Sequence, residues 1–147
     1  RQRQMCIRDS SEEAKKLIQV TKECFFEGIK YAKAGNHLFD ISGAIGRYAE
    51  ERGYGVVRDL CGHGIGTALH EAPEIPNYEV GRKGVKLRPG MTLAIEPMIN
   101  IGTYEVDWLD DDWTVVTRDG SLSAHYENTI LITEGEPRIL SLTCDNE

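Results

Sequence analysis

Cysteine is scarce and unpatterned in this 147-residue chain. The four present, Cys6, Cys24, Cys61 and Cys144, form no CxxC pair and no spaced framework. That excludes a thiolate zinc knuckle and argues for reduced thiols rather than disulfides. No apolar run approaches the roughly 18 residues a membrane span requires, and the N-terminus RQRQMCIRDS lacks the apolar core of a secretory signal. The cytoplasm is the expected address, with no membrane partner. Lys and Arg number 17 against 24 Asp and Glu, a net charge of −7. Nucleic acid is bound nonspecifically through basic side chains that neutralise phosphates, so direct nucleic-acid binding is not expected. Neither of the common phosphate-loop patterns, GxxxxGKS/T or GxGxxG opening a helix, occurs.

What remains is one ordinary domain, long enough to bury about 68–70% of its unfolded surface without covalent staples. Residues 1–4 are polar and aperiodic and 5–9 show no amphipathic pattern, so 1–9 are expected to be a tail, disordered or foreign to the domain that fills 10–147. Ser10 and Glu13 have the spacing of a capping box. Apolar residues then recur at Ala14, Leu17, Ile18, Cys24, Phe25, Ile29 and Ala32, which predicts a helix from Glu12 to about Ala34, closed by Gly35. A second helix is expected from Asp40, as its cap, to Gly53. Gly43 and Gly46 within it suggest close packing against a neighbour.

After Gly53 the texture changes, and nine of the fifteen glycines fall between Gly53 and Gly102. Strands are expected at 54–58, 91–99, 113–117, 124–133 and 138–142, with a loop or bent strand at 61–71 and a turn at 87–90. Two helices followed by a mostly antiparallel sheet define an α+β class.

Three segments carry candidate chemistry. In Cys61–Glu71, three glycines flank His63, and His70 follows directly before Glu71. In Met91–Ile99, alternation puts Glu96 on one face with Thr92, Ala94 and Met98, and turns Leu93 and Ile95 to the other. Pro97 then breaks the ladder beside that carboxylate. In Ser123–Thr133, Glu127 shares a face with His125 and Thr129. Taken singly, each segment fits a structural role equally well: a loop histidine, a salt-bridged Glu, a hydrogen-bonded Glu. Together, one imidazole and two intrasheet carboxylates make a hard N/O donor set suited to Mn, Fe, Co or Zn. Metal-assisted hydrolysis follows, with His70 free to stabilise an oxyanion or move a proton. Residue types and spacing reach a metallohydrolase and no further. The acidic run Asp107–Asp112 reads as a solvated loop in preference to a weak cation site or an attractor for a substrate's amino terminus.

The motifs do reach further. Gly62-His63-Gly64-Ile65-Gly66, His70-Glu71, Pro73 and Ile75-Pro76-Asn77-Tyr78 resemble the signature of type I methionine aminopeptidases. Leu87-Arg88-Pro89-Gly90-Met91-Thr92, Ile95-Glu96-Pro97-Met98, Asp112-Trp113-Thr114-Val115 and Ser121–Thr129 are similar to that family's later blocks, in the same order. The resemblance runs from about Glu12 to Leu142. It implies a pita-bread fold, two divalent metal ions and removal of the initiator methionine from peptides and nascent proteins, in proximity to the ribosome. By motif position it implies His63, Glu96 and Glu127 as metal ligands, with Glu127 bridging. His70 would be the catalytic imidazole, Glu96 a participant in proton transfer, and Leu69 and Trp113 part of the methionine pocket. Leu69 stands where the family often has a larger aromatic.

The family's remaining two ligands are aspartates that precede the long helix, and they have no counterpart here; Asp9 and Asp40 do not fit their pattern. The chain therefore corresponds to a C-terminal portion of the family domain with an incomplete fold. It is expected to hold at most one ion and to be a poor enzyme alone. Two other readings are an Xaa-Pro aminopeptidase or creatinase-like hydrolase, and a noncatalytic module of the same fold.

Overall fold

The computed structural model describes residues 11–142. The tail expected at 1–9, the Ser10 cap, Cys6 and Cys144 lie outside the described residues.

Helix α1 spans Glu12–Ile29 and is capped by Ser11, whose hydroxyl accepts the Ala14 N–H at 3.2 Å. Glu12 and Glu13 in the first turn face the positive end of the helix dipole. Leu17, Val20, Thr21, Cys24, Phe25 and Gly28 form its buried stripe. The helix stops at Ile29 and not near Ala34, because the N–H groups of Tyr31 and Ala32 turn to the carbonyls three residues back. Gly35 (φ +95°) then gives its N–H to Leu87, so the segment is held by the 85–87 strip instead. Helix α2 spans Leu38–Glu50, with His37 rather than Asp40 at the N-cap. Asp40 reaches back, its carboxylate accepting the His37 N–H at 2.8 Å. Gly46 meets its neighbour as expected: a Cβ there would lie 2.8 Å from Tyr78 Cα.

Among the described residues ten short strands follow: β1 (Gly55–Val56), β2 (Gly62–Gly64), β3 (Glu71–Ile75), β4 (Thr92–Ile95), β5 (Met98–Asn100), β6 (Val106–Trp108), β7 (Val115–Thr117), β8 (Ser123–His125), β9 (Asn128–Leu131) and β10 (Arg138–Ile139). They form a five-stranded sheet ordered β10-β9-β4-β2-β3, a three-stranded sheet β1-β5-β8 and the hairpin β6-β7. Every pairing is antiparallel. The α+β expectation is met, with two corrections of detail. β3 and β6 were not anticipated, because each is half exposed and lacks an apolar run. The strands expected at 91–99 and 124–133 are each broken in two, at Glu96-Pro97 and at Tyr126-Glu127.

Those two breaks face each other. β4 pairs with β9 (Ile95↔Asn128) and β5 with β8 (Met98↔His125) in one unchanged register. Residues 92–100 and 123–131 are thus a single antiparallel ribbon kinked at Pro97, which has no N–H to give to the ladder. Tyr126 N–H binds the Pro97 carbonyl across the kink at 3.1 Å.

The helices cover one side of this ribbon. Leu93, Ile95, Ile99, Ile130 and Ile132 point into a core shared with Leu17, Phe25, Ile41 and Ile45. The Tyr126 ring packs on Phe25 at 5.3 Å, an edge-on contact that ties the kink to α1. Cys24 and Cys61 are free thiols, and burial pushes Cys24 up to about 12. Among the described residues no helix is long and apolar enough to cross a membrane.

Phe25 is fully buried and touches the kink, so Phe25→Ala is expected to cost about 3–5 kcal/mol in urea unfolding. An unchanged midpoint would mean the α1 contact does not support the ribbon. A second expectation concerns Asp119 at the base of the β6–β7 hairpin. The Ser121 hydroxyl and the N–H groups of Thr103 and Ser121 hold its carboxyl down to about 2. A carboxyl lowered on folding stabilises above its unfolded value near 4, and that contribution disappears as pH falls toward 2. Thermal midpoints of the wild type should fall more steeply than those of Asp119→Asn between about pH 4 and 2; parallel curves would contradict it.

Candidate metal centre

The side of the ribbon away from the helices carries the polar residues. His63 in β2 pairs with Ala94 in β4, and Ala94 pairs with Thr129 in β9, so the three side chains lie in one row on one face. Two residues along β4 from Ala94 comes Glu96, and two residues back from Thr129 comes Glu127. The unchanged register sets these two carboxylates opposite each other at the kink. Alternation also sends Tyr126 to the helix side and leaves His125 and Glu127 with Glu96.

Gly62 and Gly64 serve this packing. A Cβ on residue 62 would press into the Ala94 carbonyl oxygen, and one on residue 64 into that of Ala72. Glycine at both places lets β3 and β4 close on the strand that holds His63. Asn77, fully buried, donates its amide to the Glu96 carbonyl at 3.1 Å and so fixes the backbone where the ladder is interrupted.

His63 and Glu96 are mostly buried, with side-chain exposures of 14% and 15%. His63 Nδ1 is 2.8 Å from the Gly64 carbonyl, which can only accept, so in the neutral ring Nδ1 carries the proton and Nε2 is left with its lone pair. That Nε2 lies 3.5 Å from Glu96 Oε1. On the other oxygen, Oε2, His125 Nε2 approaches to 3.4 Å. One donor atom each from Glu96, His125 and Glu127 lie within 4.8 Å of one another. Metal–ligand bonds of about 2.0–2.2 Å put donors sharing one ion at most about 4.4 Å apart, so small side-chain rotations suffice. Among the described residues no Lys or Arg pairs with Glu96 or Glu127. Two facing carboxylates and two imidazoles, with no Lys or Arg between them, fit a divalent metal.

His70 stacks near His63, ring centroids 4.3 Å apart and tilted by 60°. Its loop is closed by Glu71, whose carboxylate accepts the Ala68 N–H at 2.7 Å and the Thr67 hydroxyl at 2.9 Å. These bonds, that from Ala68 first, hold the Glu71 carboxyl below its usual range. His63 thus lies beside both His70 and Glu96, and Glu127 lies across the ladder from Glu96. Leu69 and Trp113 stand out in solvent at 69% and 85% exposure. Neither lines the cleft of about 260 Å³ between the β6–β7 hairpin and the ribbon, which Met98, Val106, Val115 and His125 border. In the acidic run, Asp111 accepts the N–H groups of Trp113 and Thr114, and Asp107 pairs with Arg118, as a solvated hairpin requires. The sequence puts Asn77 in a motif and His125 on the face of Glu127 but gives neither a role. For His125 the two-residue spacing to Glu127 was a usable signal; for Asn77 only tertiary burial reveals the role.

The model of metallopeptidase family M24 matches residues 2–134. A methionine aminopeptidase of Clostridium acetobutylicum is 58% identical over 140 residues, covering 95% of this chain and 56% of the relative. The crystal structure of a methionine aminopeptidase from Thermotoga maritima superimposes with a TM-score of 0.87 at 48% identity, over 91% of this chain and 54% of that one. A prolidase from Pyrococcus furiosus shares the fold more distantly, at 26% identity and a TM-score of 0.67, over 90% of this chain and 34% of the prolidase. The chain spans about half the length of the curated relatives it matches. The fold is accordingly that of the pita-bread enzymes, in part. With its two carboxylates opposed at the kink and a family match along nearly its whole length, the chain belongs to metallopeptidase family M24, on the methionine aminopeptidase side of that family.

Proposed function

We propose that this chain carries part of a metal-dependent aminopeptidase site that removes an N-terminal methionine from peptides and nascent proteins in the cytoplasm. The observation that supports it most is the opposition of Glu96 and Glu127 at the kink, with His63 Nε2 aimed at Glu96 Oε1 from 3.5 Å. In this reading His63, Glu96 and Glu127 hold a divalent ion of the Mn, Fe, Co or Zn kind. When bound, the ion supplies a water acidic enough to attack at neutral pH and polarises the scissile carbonyl. His70, exposed beside His63, is placed to give an N–H to the oxygen of that carbonyl as charge develops on it. Glu96 accepts a proton from the attacking water and returns it to the leaving amine. In the family reading Leu69 and Trp113 belong to the methionine pocket, which suits a flexible, polarizable side chain, but both are exposed in this chain and neither lines the cleft beside the ribbon.

Three ligands are fewer than the five that the family resemblance implies, and the chain spans about half of its relatives. We therefore assign it at most one firmly held ion and slow turnover by itself. The methionine reading is preferred over an Xaa-Pro one because the relatives named methionine aminopeptidases share 43–58% identity against 26% for the prolidase.

Calorimetric titration with Mn²⁺ and hydrolysis of Met-Ala-Ser and Ala-Pro-Ala peptides test this together. Binding near one equivalent that His63→Ala weakens is expected, with slow release of Met and none of Ala. His70→Ala should leave Mn²⁺ binding intact and lower the rate by about 10²–10⁴. Preferred cleavage of the Ala-Pro peptide would replace the substrate assignment. Mn²⁺ binding with no cleavage of either peptide would favour a noncatalytic module, binding indifferent to His63 would remove that residue from the centre, and absence of binding would remove the metal centre itself.

A further inference from the structure

The centre described above draws on one imidazole, and the fold brings a second to the same carboxylate. Glu96 sits between His63 Nε2, 3.5 Å from Oε1, and His125 Nε2, 3.4 Å from Oε2. His125 is there because the kink fixes its neighbour. Tyr126 is drawn to the helix side by Phe25 and tied to the Pro97 carbonyl, which turns both His125 and Glu127 toward Glu96.

A merely structural His125 would donate an N–H to Glu96. Charge-assisted N–H···O bonds run about 2.7–2.9 Å, and the observed 3.4 Å is well beyond that. The gap is nearer the separation of two donors that share an ion. Glu127 independently joins the cluster: Glu96, His125 and Glu127 each offer a donor within 4.8 Å of the others, a group that does not include His63. His125 also has the exposure, 35% of its side chain, that lets an ion reach it from solvent.

We propose that His125 is a further protein ligand of this metal centre, giving Nε2 to a divalent cation on the Oε2 side of Glu96 together with Glu127. The proposal rests on the metal-centre reading and deepens it by adding a nitrogen donor outside the three that the family motifs supply. It gives the chain two nitrogen and two carboxylate ligands.

Proton NMR of the full 147-residue chain titrated with Co²⁺ tests it, because a Co²⁺-bound imidazole shows ring resonances displaced far outside the normal range. Two displaced sets are expected in the wild type. His63→Ala should remove one, and His125→Gln the other. His125→Gln should also weaken Co²⁺ binding about ten- to hundredfold by calorimetry, with the far-ultraviolet circular dichroism unchanged. The count of displaced sets in the wild type needs no variant and stands if either variant misfolds. A single set lost in His125→Gln and kept in His63→Ala would support the proposal and remove His63 from the centre. A single set lost in His63→Ala and untouched in His125→Gln would overturn the proposal and leave the centre standing. Absence of Co²⁺ binding in the wild type would overturn both.

Discussion

The constraint on which this structure depends is a proline in the middle of an antiparallel ribbon whose register does not slip. Pro97 withholds a ladder hydrogen bond, and the ribbon bends, yet Ile95↔Asn128 and Met98↔His125 belong to one continuous pairing. The residues left at the bend, Glu96 and Glu127, are therefore opposite each other by necessity. A carboxylate pair costs free energy wherever it is withdrawn from water without a counter-charge. Here that cost falls on Glu96, which is mostly buried, while Glu127 opposite it is exposed; imidazoles and not Lys or Arg attend Glu96.

The rest of the fold holds the bend in shape. Helix α1 supplies Phe25, which receives the Tyr126 ring; α2 and the buried Asn77 secure the opposite edge, Asn77 binding the Glu96 carbonyl. Two glycines let β2 slide close enough for His63 to face Glu96. Apolar side chains on one face of the ribbon and imidazoles and carboxylates on the other divide the work cleanly. Leu93, Ile95, Ile130 and Ile132 secure the core, while Ala94 and Thr129 keep the polar face low enough for the imidazoles to reach over it.

Much of this was legible in the sequence, and the reasons for the rest are specific. Alternation correctly sent Leu93 and Ile95 to the core and Glu96 to the other face, because period-two geometry survives a kink. Pro97 announced the break in one strand, but nothing local announced its mirror at Tyr126-Glu127, which is imposed across the ladder. Apolar periodicity carried α1 too far, since Ala32 is buried without being helical. Asp40 is a good capping residue by type, yet it serves this helix end from the third position, with His37 as the cap. β3 and β6 have no apolar alternation to reveal them. Of the site, His63, His70, Glu96 and Glu127 were all read from motifs, whereas His125 needed the geometry to show that both oxygens of Glu96 are attended. Leu69 and Trp113, assigned to a pocket by resemblance, are exposed in this chain.

The most direct measurement of the central claim is anomalous diffraction from crystals of the chain grown with Mn²⁺. The account predicts a peak between Glu96 and Glu127, within about 2.0–2.3 Å of an oxygen from each. A map with no peak at the kink, or with Mn²⁺ held only by the Asp107–Asp112 loop, would contradict it.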